Sequence, residues 1–193
     1  MSCACAMPAM AKKRAQIVPQ AEGRILEIGF GSGNNSAFYD AAKINHLFAL
    51  EPNIGWRRLG EKRLKNLPFS AEWIDLPGEQ IPLDDESVDT VLVTFSLCTI
   101  PGIEQALAGM RRVLKPGGKL LFLEHGRAPD HGVAKWQERV NNVWGKLAGG
   151  CHLNREPDLL LRNAGFQIVN LEQGYLPKTP KMLAFLSSGV ASR

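Results

Sequence analysis

The sequence predicts an α/β fold built on a doubly wound, mostly parallel sheet, and two observations support this prediction. Short apolar runs bounded by turn residues alternate along the chain with segments of helical character. The first of these runs, residues 25–28, passes directly into glycines at three alternate positions, Gly29, Gly31 and Gly33. A strand, a glycine turn and a second strand that ends in an acid, here Glu51, form a nucleotide-binding half of such a sheet.

Five apolar runs predict the parallel strands, because a strand covered by helices on both faces is apolar along its whole length. These runs are residues 24–28, 46–50, 70–74, 88–95 and 119–124. Three helices are predicted between them, over residues 34–42, 54–66 and 103–114. Right-handed crossovers then place helices on both faces of the sheet.

The last third of the chain predicts two further helices and a terminal antiparallel hairpin. Apolar side chains at helical spacing in residues 133–147 predict a helix that buries Trp136, Val140, Val143 or Trp144, and Leu147. A second helix is predicted over residues 156–164. The strand-like runs 166–171 and 182–186, separated by turn residues, predict the hairpin and bring the sheet to seven strands.

Composition and charge indicate an ordinary globular protein. The 193 residues are 45% apolar and 22% charged, and the net charge of +4 comes from scattered basic clusters, so we expect no nucleic-acid partner. No apolar run approaches the ~20 residues that span a bilayer, so we expect a cytoplasmic protein with no integral membrane segment. Residues 1–20 are predicted to form a partly mobile or helical N-terminal segment, and residues 21–193 a single domain that is monomeric or dimeric.

The four cysteines, Cys3, Cys5, Cys98 and Cys151, are spaced in a way that predicts neither a metal site nor a redox motif. No two of them form a C-x-x-C pair, which is the usual signature of either site. Cys98 lies in an apolar run, where a cysteine behaves as a small buried hydrophobe.

The glycine loop by itself leaves the identity of the nucleotide open. The G-x-G-x-x-G fingerprint of dinucleotide enzymes is not met, because Asn34 stands where the pattern that starts at Gly29 requires its last glycine. The lysine of a phosphate-binding loop is also absent. Glu51 can accept two hydrogen bonds from ribose hydroxyls, which suits any adenosine-containing cofactor. Glu27, inside the first strand, needs a partner if it is buried, and the ammonium group of a cofactor would supply one.

The glycine loop and several later segments together resemble the class I S-adenosylmethionine (SAM)-dependent methyltransferases of type 11. The segments are Gly78 to Leu83 followed by Ser87-Val88-Asp89, the run Arg111 to Gly118, and the terminal hairpin. A narrower resemblance, to the methyltransferase-like thiol methyltransferases, lies in Phe38-Tyr39, Ser96 to Ile100, Glu124-His125, Trp136-Gln137 and Gly150 to Glu156. The sequence is more distantly similar to the ubiquinone/menaquinone C-methyltransferases. The resemblance implies a Rossmann-like seven-stranded sheet with an antiparallel C-terminal strand.

The resemblance also implies SAM as the cofactor, S-adenosylhomocysteine as the product and a specific set of site residues. The implied cofactor site consists of Glu27, Gly29, Phe30, Gly31, Ser32, Gly33, Glu51, Pro52, Gly78, Glu79, Thr94 and Phe95. The substrate site is expected to be lined by Tyr39, Ser96, Cys151 and His152. His125 is the candidate catalytic base, since an ordinary His pKa of ~6.5 suits proton removal near neutral pH; a structural histidine is the alternative.

The expected methyl acceptor is a small molecule, with a thiol favoured. A thiol with an ordinary pKa of ~8.5 is already partly ionised at neutral pH and needs little help from a base. A quinol precursor or an amine remains an alternative acceptor. A non-catalytic SAM-binding protein is a further alternative, and an NAD-dependent oxidoreductase is less favoured.

Overall fold

A seven-stranded sheet forms the centre of the structure, a computed structural model that describes residues 8–193. The strands are β1 (Gly23–Ile28), β2 (Ile44–Leu50), β3 (Ser70–Ile74), β4 (Val88–Thr94), β5 (Leu114–His125), β6 (Gln167–Tyr175) and β7 (Phe185–Ser192). The α-helices are α1 (Pro8–Ile17), α2 (Ile54–Lys65), α3 (Ile103–Val113), α4 (His131–Leu147), α5 (Pro157–Asn163) and the single turn α6 (Lys181–Ala184). Cys3, Cys5 and the first part of the predicted N-terminal segment lie outside the described residues.

The strand order β3-β2-β1-β4-β5-β7-β6 confirms the predicted doubly wound fold. Strands β1 to β5 pair in parallel, while β7 is antiparallel to both β5 and β6. The chain reverses its direction of travel across the sheet between β1 and β4. The carboxyl ends of the strands on either side of such a reversal are where ligands bind in sheets of this kind.

Helices cover both faces of the sheet, as predicted, because successive strand residues point to opposite sides. Leu26 and Ile28 belong to one core with Met110 of α3 and Leu161 of α5. Ile25, which precedes Leu26 in β1, belongs to a second core with residues of α1 and α2. All of these strand side chains are at most 1% exposed, so the central strands are rigid supports for whatever lies at their ends.

The predicted helix over residues 34–42 is wrong. Residues 31–38 form consecutive turns instead, and a 3-10 helix covers Ala41–Lys43. The amides of Gly33, Ser36 and Phe38 each donate to the carbonyl three residues earlier, at 2.9 to 3.2 Å. Gly33, directly before this segment, has a φ of +78°, and the Asn35 side chain is 1% exposed and bonds Glu27 and Thr94, so the backbone follows those contacts instead.

The helix predicted over residues 133–147 exists as α4, but its predicted buried face is only partly correct. Val140 and Trp144 are partly buried against a core cluster, while the other predicted residues are exposed. Trp136, Val143 and Leu147 are 54%, 62% and 81% exposed, and the helix instead buries Ala134, Gln137 and Asn141. The two buried amides have partners on neighbouring backbone. The Gln137 side chain bonds Ala128 N, Gly126 O and Met182 O, and Asn141 Oδ1 accepts from Leu153 N. Those backbone groups would otherwise be buried unpaired, and that requirement outweighs the apolar pattern.

The last strand is also displaced from its predicted position at 182–186. Residues 181–184 form α6, and β7 covers Phe185–Ser192, so the predicted hairpin exists with a later second strand. The sequence Ser187-Ser188-Gly189 lacks the apolar character that predicts a strand. Gly189 is required by packing, because a Cβ at this position would lie 2.0 Å from Asn170 O of the neighbouring strand.

Strand β5 begins five residues before its predicted start at residue 119. Helix α3 ends at Val113, and the chain enters β5 directly at Leu114.

Within residues 8–193, no helix is both long enough and apolar enough to cross a membrane. The division into an N-terminal segment and one domain stays a prediction.

Candidate functional site

A cavity of about 420 Å³ opens at the carboxyl ends of β1, β2 and β4, at the reversal point of the sheet. Its walls come from the glycine loop after β1, the residues after β2, the loop 77–79, the end of β4, and the segment that follows α4. All but one of the predicted cofactor residues line it, namely Glu27, Gly29, Phe30, Gly31, Ser32, Glu51, Pro52, Gly78, Glu79, Thr94 and Phe95. The exception, Gly33, packs against the Phe30 ring and Arg63, where a Cβ would lie 3.0 Å from the ring.

The glycine loop is held in a conformation that other residues rarely adopt. Gly29 has a φ of +74° and Gly31 a φ of +58°, both in the left-handed region. A Cβ on Gly29 would lie 2.1 Å from Ser96 Oγ, so glycine is also required for space. The amides of Gly29 and Phe30 donate to Leu50 O at 2.9 and 3.1 Å, which fixes the loop to the end of β2.

Glu51 stands directly after β2 and connects the two walls of the cavity. Its Oε2 accepts a hydrogen bond from Gly31 N at 3.0 Å, and its Oε1 accepts one from Asn53 N at 2.9 Å. The residue is 7% exposed, and burial raises the pKa of its carboxyl although the two backbone bonds oppose the shift. Each oxygen uses one lone pair on the backbone and keeps another for a ligand hydroxyl.

Glu27 finds its partners within the chain rather than only in a cofactor. Its Oε1 accepts from Asn35 Nδ2 at 2.7 Å and its Oε2 from the Tyr39 hydroxyl at 2.5 Å. Arg14 of α1 joins the network by donating to Asn35 Oδ1 at 2.5 Å and to Thr94 Oγ1 at 2.9 Å. Burial raises the pKa of Glu27 to about 7, against the opposing effects of these hydrogen bonds and of the Arg14 charge.

The end of β4 forms the wall next to the glycine loop and is backed by a second buried carboxylate. Phe95 has a φ of +55°, a strained conformation for a side chain of this size, of the kind that concentrates at functional sites. Glu124 Oε1 accepts from the amides of Ser96 and Leu97 at 2.7 and 3.0 Å, which holds the backbone turn in place. Burial raises the pKa of Glu124 to about 7.

The fourth wall is the loop 77–79 together with residues 99–101. Glu79 Oε1 accepts from Gly102 N at 2.8 Å, so this loop is tied to the start of α3. A Cβ on Gly78 would lie 3.1 Å from Ile100 Cδ1, which explains why the apolar wall can approach the loop closely. Pro77, Ile100 and Pro101 give this wall apolar lining residues.

The predicted substrate residues do not all come together. Ser96 lines the cavity, whereas Tyr39, Cys151 and His152 are not among its lining residues. Tyr39 bonds Glu27, and His152 Nδ1 lies 3.1 Å from Asn141 Nδ2. These three roles stay predictions, without a contact to the cavity to support them.

His125, the candidate base, is likewise not a lining residue. Its Nε2 lies 3.6 Å from Cys151 Sγ and 3.8 Å from Cys98 Sγ, and its Nδ1 is buried without a hydrogen-bond partner among the described residues. Burial lowers the pKa of His125, but the contact with Cys151 and the charges of Cys151 and Glu124 outweigh it, so the pKa is raised overall. The contact with the Cys98 thiol, opposed by burial and reinforced by His125, lowers the pKa of Cys151 to about 4.

Sequence reasoning missed several residues that line the cavity. Arg14 reaches it from α1 although nothing in the local sequence distinguishes it from the neighbouring Lys12 and Lys13. Asn35 lies in the segment that is wrongly predicted to be helical, although an asparagine pair directly after a glycine loop is a signal for turns. The segment Leu147-Ala148-Gly149 also lines the cavity. The glycines at 149 and 150 are a signal for the end of α4 at Leu147, but they do not indicate that this end lies at the cavity.

The chain is similar to known proteins over most of its length. Residues 26–122, half of the chain, match the family model described as "Methyltransferase domain". The chain is 34% identical over 156 residues to the thiol S-methyltransferase TMT1B of Rattus norvegicus, covering 78% of this chain and 63% of that protein. It is 25% identical over 169 residues to the ubiquinone/menaquinone biosynthesis C-methyltransferase UbiE of Cronobacter sakazakii, covering 76% of this chain and 67% of that one.

A solved structure gives the same picture of the fold. The SAM-dependent methyltransferase structure from Methanosarcina mazei superposes with a TM-score of 0.70 at 20% identity, covering 89% of this chain and 92% of that one. The family model spans the glycine loop, Glu51 and the whole of β2 and β4, whose ends border the cavity. This chain therefore belongs to the methyltransferase domain family and has the fold of the SAM-dependent methyltransferases.

Proposed function

We propose that this protein transfers a methyl group from SAM to a small thiol. The observation that carries the proposal is Glu51, whose carboxylate lies on the cavity, is fixed by Gly31 N and Asn53 N, and keeps an acceptor position on each oxygen. A rigid pair of acceptors at this place is suited to the two adjacent hydroxyls of a ribose. The family and the fold supply the identity of the nucleoside.

The residues around the cavity fit SAM from one end to the other. Gly29 and Gly31 let the backbone approach a ligand closely, since both have a φ in the left-handed region and neither carries a Cβ. The apolar loop with Gly78 and Ile100 suits the flat adenine ring. At the other end, the Glu27 carboxyl and the Arg14 guanidinium line the cavity and suit the ammonium and carboxylate of an amino acid group. When bound, SAM supplies a methyl group activated for transfer by the positive sulfonium.

The chain's own contribution is orientation and the exclusion of water. The amides of Ser96 and Leu97 both donate to Glu124 Oε1, so the wall next to the reacting methyl is rigid. Alignment of the two reactants is worth several kcal/mol, up to ~7–11 in favourable cases. The segment Leu147-Ala148-Gly149 adds an apolar edge to the mouth, which favours an acceptor with an apolar body.

A thiol is favoured because the cavity offers little help with proton removal. Among the described residues that line it there is no histidine, lysine or aspartate, and the acids Glu27, Glu51 and Glu79 already accept hydrogen bonds from the chain. Carbon or amine acceptors require a stronger base than this wall provides, whereas a thiol is partly ionised near neutral pH. The similarity to a thiol S-methyltransferase supports the same acceptor class, and the chain spans only 63% of that relative's length.

A matched acceptor panel tests the proposal. Radiolabelled SAM is incubated with the protein and with an alkyl thiol, the alcohol and amine of the same skeleton, and a hydroquinone. We expect label in the thioether alone, and a rate of labelling roughly 10- to 150-fold lower with the Glu51→Gln variant at limiting SAM. Transfer to the amine or hydroquinone with an inert thiol would overturn the acceptor class, and failure of the protein to bind SAM would overturn the proposal as a whole.

A further inference from the structure

Three side chains that are far apart in the sequence converge beside the cavity and are not among the residues that line it. Cys98 follows β4, His125 is the last residue of β5, and Cys151 lies between α4 and α5. Their ligand atoms, two sulfurs and the histidine Nε2, all lie within 4.8 Å of one another. Both cysteines are buried, at 1% and 0% exposure.

The spacing of these atoms matches a coordination sphere. Zinc bonds of about 2.3 Å to sulfur and about 2.05 Å to nitrogen place those two ligand atoms about 3.6 Å apart at a tetrahedral angle and about 3.8 Å apart at a trigonal one. The two sulfur-to-Nε2 distances are 3.6 Å for Cys151 and 3.8 Å for Cys98. A neutral imidazole nitrogen has one lone pair and accepts from one thiol at a time, and Cys98 Sγ has a second acceptor in Phe95 O at 3.8 Å. One metal ion can bind all three ligand atoms at once.

We propose that Cys98, His125 and Cys151 form a binding site for a thiophilic transition-metal ion such as Zn²⁺. Two thiolates and one imidazole are a soft donor set that selects ions of this class over Mg²⁺ or Ca²⁺. The thiolate is the form in which cysteine binds a metal ion. This site is separate from the SAM site, and it adds to the proposed function without depending on it.

The backbone already holds the three ligands in place. His152 N donates to Cys98 O at 2.8 Å, which ties the two cysteine segments together. Leu153 N donates to Asn141 Oδ1 at 2.8 Å, which fixes the same segment to α4. An ion here would therefore join residues 148–153, whose first members line the cavity, to the ends of β4 and β5. Its role would be to stiffen one edge of the cavity.

Metal titration of the reduced full-length chain tests the proposal, with Cys3 and Cys5 replaced by alanine so that they cannot bind the ion. We expect one Zn²⁺ per chain in competition with a chromogenic chelator, and a thiolate-to-cobalt charge-transfer band when Co²⁺ is used. Cys98→Ala and Cys151→Ala should each weaken binding by more than about 100-fold, the upper end of the loss seen when only an outer partner of a ligand is removed. His131→Ala, an exposed histidine elsewhere on the chain, should bind as before.

A second measurement keeps the proposal open to refutation if an alanine variant fails to fold. In the protein with its native Cys98 and Cys151, saturating Zn²⁺ should protect both thiols from alkylation, as read by mass spectrometry of the peptides. Absence of binding by the reduced chain would overturn the proposal. Binding that survives both alanine substitutions would also overturn it. So would a Cys98–Cys151 disulfide that forms equally with and without added Zn²⁺.

Discussion

Replacement of Glu51 by glutamine is the sharpest test of the cofactor site. The substitution keeps the size of the side chain but turns one of its two oxygens into an amide nitrogen, which donates and cannot accept. Whichever way the amide is turned, its nitrogen faces a backbone donor, either Gly31 N or Asn53 N. The variant therefore loses one internal hydrogen bond and one acceptor position for a ribose hydroxyl.

The expected loss of affinity follows from that count. A hydrogen bond to a charged group is worth about 1.5–3 kcal/mol, and each 1.4 kcal/mol is tenfold in affinity, so the dissociation constant should rise roughly 10- to 150-fold. Calorimetric titration with S-adenosylhomocysteine measures it without turnover. Glu72→Gln is the matched control, because this carboxylate lies on the neighbouring β3, is 59% exposed and does not line the cavity.

The reasoning would be refuted by an affinity within about twofold of the unmodified protein, a ratio worth only ~0.4 kcal/mol, while Glu72→Gln behaves normally. In that case the ribose would lie elsewhere, and Glu51 would serve only to hold the glycine loop. Thermal unfolding of both variants separates a loss of affinity at the site from a loss of fold. A variant that binds normally but melts earlier would assign Glu51 a structural role alone.

Three further perturbations test other parts of the site. Burial raises the pKa of Glu27 to about 7 from 4.5, so the folded state retains a proton that the unfolded state releases, and stability falls as the pH rises through that window. Glu27→Gln should remove this contribution of at most about 3 kcal/mol, and equal pH dependence of urea unfolding in both proteins would contradict it. Gly29→Ala should cost on the order of 1–3 kcal/mol of stability and weaken SAM binding, because Gly29 has a φ of +74° and the added Cβ would lie 2.1 Å from a hydroxyl oxygen. Gly132→Ala, where the added Cβ has no atom within 4 Å, should do neither. Leu147→Asp should lower kcat/KM for apolar thiols about fourfold for each methylene group of the acceptor that no longer packs against this side chain, with SAM affinity unchanged; an equal effect of the exposed Val143→Asp would argue against a role at the mouth.

The parts of the fold that the sequence predicts well are those in which local pattern and tertiary packing ask for the same residues. The run 70–74 is β3 to the residue, because it is a short apolar segment between turn residues. The predicted bounds of helices α2 and α3 have their first residues correct and their last within one. Their start signals are local, as in the Asn53 side chain that accepts from Gly55 N and Trp56 N.

The errors fall where a side chain serves a distant partner. Residues 34–42 are predicted to be helical, but Asn35 bonds Glu27 and Thr94 across the cavity and its backbone follows that demand. The buried face of α4 is predicted to be apolar, but Gln137 and Asn141 satisfy loop amides that only the assembled chain brings near. The position of the polar strand β7 is missed because its small residues are selected by the approach of β6.

The sequence by itself determined the order of the elements, the glycine loop, the acid at the end of β2 and, through these, the family. Those features are local, since they depend on glycine conformation, strand apolarity and the few residues between them. Only the tertiary structure brought Arg14 from α1 to the cavity and placed His125 beside two cysteines rather than among the residues that line the cavity. These contacts join residues 26 to 80 positions apart, and no local pattern records which distant side chains a fold will make neighbours.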